Sequence, residues 1–409
     1  MEQKLQWEGF APGHWNEDVN VRDFIQRNYT EYQGDASFLE GPTDATETLW
    51  NMVQDLQHQE RAKGGVLDME TEVVSSINAY GPAYIGDKTK ELEKVVGLQT
   101  DKPLKRAFMP YGGIKMAEKA CQTYGYTPNP ELHKIFTDYH KTHNQAVFDV
   151  YTPEMKLVRH NKILTGLPDA YGRGRIVGDY RRVALYGIDF LLAKKEEDLA
   201  ECGDGTMTED VIRLREEIAD QMKALREMKQ MAASFGFDIS QPAKDAKEAV
   251  QWLYFGYLAA IRTQNGAAMS VGRISTFLDI YIERDLRKGI LTETEAQELI
   301  DHLVISVLDI LLDAGADVVC EDDFIKTVQR RRCRRTLPQH IDAVGILLYH
   351  ALYTPDLSLY PREPVHQVLF LLIASVLHLP GAGCAASSGL LYISGHLSAV
   401  RADLFFFFL

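Results

Sequence analysis

The chain has 409 residues, with 45% hydrophobic and 25% charged residues, which excludes intrinsic disorder throughout. Lys+Arg 44 against Asp+Glu 58 gives a net charge of -14, which speaks against a nucleic-acid partner. At roughly 100–200 residues per domain the length allows two or three domains or one large α/β domain.

The N-terminus, Met1–Phe10, is polar and shows no secretory signal. Five cysteines (Cys121, Cys202, Cys320, Cys333 and Cys384) lie far apart, without a C-x-x-C pair. Neither a disulfide framework nor a zinc ribbon is indicated, and a reducing cytoplasm fits best.

Short buried strands are expected at Ala107–Pro110 and Gly187–Leu192, although periodicity alone cannot prove them. A helix is predicted from Pro130 to about Phe148, bearing His133, His140 and His143. Surface or capping roles suit these histidines better than zinc, which usually needs a further well-placed ligand. Thr206 and Glu209 form a capping-box pair ahead of an apolar stripe, Val211, Leu214, Ile218, Met222, Leu225 and Met228, which Gly236 stops. Pro242 reads as a first-turn proline before a helix over Ala243–Arg262. Thr276 and Asp279 precede a short helix ending near Gly289, and Thr292 and Glu295 cap the next.

The densest local signal is Leu167–Arg182. Gly172, Gly174 and Gly178 let the backbone turn and come close to a ligand. Arg173, Arg175, Arg181 and Arg182 can clamp a carboxylate or phosphate with their guanidinium forks. The spacing G-x-G-x-x-x-G misses the dinucleotide fingerprint by one residue, and no G-K-[ST] follows. The competing reading pairs these arginines with Asp169, Asp179 and Asp189, because structural ion pairs outnumber anion sites. Gln264–Ser270 is a run of small residues that leaves room for a ligand or another backbone. Tyr111–Lys115 reads as a plain turn, and Arg330–Arg335 as a solvated charge run.

After Glu363 the only charged residues are Arg401 and Asp403. Val368–Leu379 is almost wholly apolar, but its twelve residues are too few for a membrane span, which takes about 20. The chain ends in Phe405–Leu409, an aggregation hazard if exposed.

Several blocks in order resemble the pyruvate formate-lyase (formate acetyltransferase) family of glycyl radical enzymes. They are Trp7–Phe10, Val19–Gln26, Val96–Thr100, Pro103–Ala107, Lys141–Gln145, Phe148–Pro153, Leu164–Gly187, Val211–Ile218, Gln264–Ser270, Thr276–Asp279 and Tyr281–Leu286. The resemblance implies an α/β fold: the helix-rich N-terminal part of a ten-stranded barrel built from two parallel five-stranded halves, incomplete here. It implies a homodimer and conversion of pyruvate and coenzyme A to acetyl-CoA and formate in anaerobic fermentation. It also implies a radical-SAM activating enzyme as partner, which makes a glycyl radical. That radical passes to one of two adjacent cysteines. Residue by residue, the resemblance assigns Arg175 to the pyruvate carboxylate and Ala267 to the wall of the pyruvate pocket. Phe148 and Arg159 match positions near the coenzyme A nucleotide. No metal or bound cofactor is expected of the chain itself, coenzyme A being a co-substrate.

The resemblance fades at Asp301–Val304. Residues 1–304 therefore read as the family region and 305–409 as an unrelated tail, such as a shifted reading frame or a poorly folded segment would give. No two cysteines are adjacent, and no Arg-Val-Ser-Gly-Tyr motif is present. Because covalent catalysis needs its nucleophile, the chain is expected to be inactive alone. Two alternatives stay open: a non-catalytic fragment that binds pyruvate, coenzyme A or intact subunits, and a product that folds poorly.

Overall fold

The computed structural model describes residues 7–31, 41–73, 76–107, 114–138, 151–163, 178–202, 205–264 and 271–313. They belong to the first of two compact units, Met1–Leu352; the second, Tyr353–Leu409, lies wholly outside them.

The described residues are mostly helical. In chain order they form α1 (Val21–Asn28), α2 (Asp44–Lys63), α3 (Ile114–Tyr124), α4 (Pro130–Asp138), α5 (Pro153–His160), α6 (Arg181–Glu201), α7 (Glu209–Ser234), α8 (Ala246–Gln264), α9 (Ser275–Arg287) and α10 (Glu293–Asp313). One parallel pair, β1 (Asp68–Met69) with β2 (Lys105–Arg106), is the strand content among the described residues. The architecture of the described residues is thus helix-rich, with one short parallel strand pair.

α8 is the axis of the core. Val250, Leu253, Tyr254, Phe255, Tyr257, Leu258 and Ile261 are buried around its whole circumference, as befits a helix enclosed on all sides. α6, α7, α9 and α10 pack on it. The N-terminal segment seals one end with aromatic rings: Trp15 lies edge-on to Trp7 and Phe24, and Phe10 sits edge-on to Tyr281. The indole and hydroxyl groups of Trp7, Trp15 and the neighbouring Tyr186 are satisfied, whereas the buried Tyr281 hydroxyl has no hydrogen-bond partner among the described residues. Trp7 Nε1 donates to the Leu185 carbonyl at 2.8 Å, and the Tyr186 hydroxyl accepts from Asn20 N and donates to the Trp15 carbonyl, each at 2.8 Å.

The side chains of α8 also hold the segment Val96–Gln99. Gln251 exchanges two hydrogen bonds with the Val96 backbone, both at 2.9 Å. The Tyr254 hydroxyl donates to the Gly97 carbonyl at 2.6 Å. Arg262, fully buried, donates to the carbonyls of Ile77, Leu98 and Gln99 at 2.8, 2.6 and 3.1 Å. A buried cation is tolerated there because three carbonyls satisfy it. Burial still lowers its pKa to about 10.

Four expectations need correction. Thr276 and Asp279 do not precede the helix that ends before Gly289 but lie within α9, whose N-cap is Ile274 with no side-chain cap. Gly187–Leu192 is not a strand but part of α6, which kinks at Gly187 (φ 73°, ψ 166°). The kink lets 239–243 dock on it, with Ile188 N to Ile239 O at 2.9 Å, Asp189 N to Ser240 O at 3.1 Å and Ala243 N to Ala184 O at 2.8 Å. The cap of α7 is Thr208, whose hydroxyl accepts from Val211 N, rather than Thr206. Pro242 stands outside α8, which starts after Asp245; the Asp245 carboxylate accepts from Glu248 N at 2.9 Å. Of the strand expected at Ala107–Pro110, Ala107 directly follows β2 and the rest lies outside the described residues. The same holds for the predicted helix beyond Asp138.

Other signals appear where expected. Thr292 and Glu295 form a reciprocal capping box, Thr292 N to Glu295 Oε2 at 2.9 Å and Glu295 N to Thr292 Oγ1 at 3.2 Å. Gly236 and Gly289 follow α7 and α9 with positive φ. On α7, Ile218, Met222 and Met228 are buried, whereas Leu214 is 48% exposed. α10 continues past residue 304, and Ile305, Val307 and Leu308 are buried.

Candidate functional site

Arg175, Ala267 and Phe148 lie outside the described residues. The structure instead describes the backbone that follows the first two. Asp179 comes four residues after Arg175, and Arg273 comes six after Ala267. Arg181 joins these two places. Its Nε donates to Asp179 Oδ1 at 2.6 Å and its Nη2 to Asp179 Oδ2 at 3.0 Å, while Nη1 donates to the Arg273 carbonyl at 3.2 Å. Arg182 approaches the same carboxylate at 3.8 Å from a more exposed position. Two of the four clustered arginines therefore do make the structural ion pairs weighed against an anion clamp. Arg173 and Arg175 lie outside the described residues. Asp189 is taken instead by Lys229, at 2.6 Å.

The floor under this junction is aromatic. Tyr180 is buried and packs edge-on against Tyr257 of α8, with ring centroids 5.6 Å apart. Gly178 lies so close to the Tyr180 ring that a Cβ there would meet it at 2.7 Å. Gly256 of α8 likewise faces Tyr180 and Val183. The small residue at 256 lets α6 and α8 approach each other beside the junction.

Arg159 sits half-buried in the last turn of α5, a helix capped by the Thr152 hydroxyl, which accepts from Met155 N at 3.3 Å. Among the described residues nothing brings Arg159 to the Arg181 junction.

A second polar cluster lies between α2 and α10, and sequence reasoning did not find it. Asp309 is fully buried and neither carboxylate oxygen has a hydrogen-bond partner. Burial and the neighbouring Glu93 and Glu60 raise its pKa. Burial raises Glu93 to about 7, against hydrogen bonds from the backbone of Ile85 and Gly86. Glu60 is held by Arg106 at 2.9 Å. Farther along α10, burial raises Asp301 to about 7 and lowers His302 to about 4; His302 Nδ1 accepts from Lys94 N at 3.0 Å. The only sequence cue was an acidic residue among apolar neighbours of one helix.

Among the described residues no three His, Cys, Asp or Glu side chains are grouped to hold a metal ion. His133 instead meets Glu118. No described helix is long and apolar enough to cross a membrane. Cys121 is buried, and burial with Glu118 nearby raises its pKa, the opposite of an activated thiol.

The chain is 60% identical over 309 residues to a formate acetyltransferase of Haemophilus influenzae, covering 75% of this chain and 40% of that protein. It therefore spans about two fifths of that relative's length. Among solved structures it resembles one of 1,2-propanediol dehydration in Roseburia inulinivorans, with a TM-score of 0.46, 19% identity, and coverage of 68% of this chain and 40% of that one. It also resembles the B12-independent glycerol dehydratase of Clostridium butyricum, with a TM-score of 0.46, 18% identity, and coverage of 67% and 40%. A family model described as pyruvate formate lyase-like matches residues 14–311, and the chain belongs to that family.

Proposed function

We propose that this chain carries the pyruvate-facing N-terminal part of a formate acetyltransferase, an acyltransferase that turns pyruvate and coenzyme A into acetyl-CoA and formate. The observation that supports this best is the 60% identity over 309 residues, a length that includes both the Gly172–Arg175 run and the Asn265–Ser270 run. In this reading Arg175 grips the pyruvate carboxylate through its fork. The methyl of Ala267 leaves space for the reacting carbonyl. Phe148 and Arg159 lie toward the nucleotide of coenzyme A, whose phosphates suit a guanidinium.

The chain's own residues bind and orient; they do not supply the radical chemistry. None of the cysteines is adjacent to another, and no Arg-Val-Ser-Gly-Tyr motif occurs in these 409 residues. The acetyl-accepting thiol and the glycyl radical of the family would then have to come from residues this sequence does not contain. That favours a chain that binds pyruvate in the cytoplasm without turning it over alone, and that acts with a homodimeric partner and a radical-SAM activating enzyme in the manner of its family. The family match ends at residue 311, and the basic, then charge-poor sequence after it has no assigned role in this reading.

The test is anaerobic. Residues 1–409 are treated with the activating enzyme and S-adenosylmethionine, and formate and acetyl-CoA are assayed alongside an electron paramagnetic resonance spectrum. The expected result is no radical and no product. Turnover would show that one of the scattered cysteines acts as nucleophile and that the division of labour proposed here is wrong.

A further inference from the structure

We infer that Arg181 is a positioning residue: together with Asp179 it latches the chain leaving the Arg175 segment to the chain leaving the Ala267 segment. The latch rests on geometry alone; its effect on pyruvate rests on the function proposed above.

Arg181 uses all three guanidinium nitrogens. Nε and Nη2 close on the two oxygens of Asp179, and Nη1 reaches the Arg273 carbonyl, 92 residues away in sequence. A bidentate pair fixes the plane of the guanidinium, so the third nitrogen is aimed rather than free to swing. The backbone on either side is immobilised from beneath. Tyr180 lies buried between Gly178 and Gly256 and rests against Tyr257, which ties the start of α6 to α8. Arg273 precedes Ile274, whose buried side chain opens α9. The latch therefore joins two points packed on the core, four residues after Arg175 and six after Ala267. If Arg175 grips a carboxylate and Ala267 walls the same pocket, releasing the latch loosens the chain that carries each. A lysine cannot do this work, because one ammonium cannot hold both Asp179 oxygens in a plane and still aim at the carbonyl.

The test compares Arg181→Met, Arg181→Lys and Arg182→Met in the full chain. Amide hydrogen exchange is followed in peptides covering 178–182 and 271–278, and pyruvate is titrated calorimetrically. Arg181→Met and Arg181→Lys are expected to speed exchange in both peptides by about threefold or more, through local opening, without lowering the melting temperature of the core. They are also expected to weaken pyruvate binding by about tenfold, about 1.4 kcal/mol of misplaced charge-assisted contact. Arg182→Met, whose side chain only approaches Asp179 at 3.8 Å and does not reach Arg273, is expected to leave exchange in 271–278 unchanged. Faster exchange confined to 178–182 would overturn the latch, since a residue that merely opens its own helix would act only there. So would full rescue by lysine. If pyruvate binds neither the parent chain nor any variant, the pyruvate reading fails, and the exchange result still decides the latch.

Discussion

Gly187→Ala is expected to be among the most damaging single-methyl changes in the chain. At φ 73° and ψ 166°, Gly187 lies in a region that only glycine occupies readily. Any side chain there costs about 1–3 kcal/mol of backbone strain. The added Cβ would also stand 2.4 Å from the Gln241 carbonyl carbon and 2.6 Å from the Ser240 oxygen. Both are backbone atoms, so no rotamer change relieves the clash, and the 239–243 segment must withdraw. That endangers the bonds of Ile188, Asp189 and Ala243 across the kink, each worth about 0.5–1.5 kcal/mol net. Together the loss is about 3–6 kcal/mol, which lowers the melting temperature by about 10 °C at the scale of 2–4 °C per kcal/mol. Gly236→Ala is the control. Its φ is 87°, but a Cβ there meets nothing within 4 Å, so only the left-handed backbone cost of about 1–2 kcal/mol is expected. Urea unfolding of both variants measures the difference. Equal losses would refute the argument that close approach of 239–243, rather than φ alone, requires glycine at 187.

Arg262→Met leaves three buried carbonyls without their donor and is expected to cost about 3–5 kcal/mol in urea unfolding, with Arg262→Lys rescuing little. Stability should also depend on pH through α10. Glu93, Asp301 and Asp309 keep their protons in the folded chain to higher pH than in the unfolded one. The unfolded chain thus binds fewer protons, and each group makes stability fall as pH rises from about 4–5 toward 7, by up to about 1.4 kcal/mol per pH unit. His302 acts with opposite sign: its pKa drops from 6.5 to about 4 on folding, so its contribution favours folding as pH rises through that window. Three carboxylates outweigh one histidine, so denaturation midpoints should fall between pH 5 and 7. Asp309→Asn should flatten that fall and His302→Gln should steepen it; a midpoint that rises over this range would contradict the sign.

What the sequence made legible was local. The Thr292–Glu295 box and the Gly236 and Gly289 stops each depend on residues within a turn of one another, and each stands where the pattern places it. The start of α8 lies beyond Pro242: that proline is a strong local signal, whereas the Asp245 carboxylate bonds Glu248 N only once the helix exists. Gly187–Leu192 reads as a short apolar run, and nothing in that run says that 239–243 will lie across it. The same blindness hid the hold of Gln251 on Val96, 155 residues away, and the Arg181 bridge to Arg273. A buried lone carboxylate such as Asp309 has no periodic signature at all. The family, by contrast, was legible from ordered blocks of residues, and the match to residues 14–311 agrees with them. The site residues themselves rest on that resemblance, because Arg175, Ala267 and Phe148 lie outside the described residues.

The central claim is that Arg175 holds the carboxylate of pyruvate in this chain. It is tested most directly by calorimetric titration of pyruvate into the parent protein and into Arg175→Met, with acetaldehyde, which lacks the carboxylate, as the comparison ligand. The account predicts saturable binding of pyruvate by the parent, a loss of at least about tenfold in Arg175→Met, and no saturable binding of acetaldehyde by either, since an anion bound by a guanidinium fork is worth about 1.5–3 kcal/mol. Equal pyruvate affinity in the parent and Arg175→Met, or no binding by the parent, would contradict it.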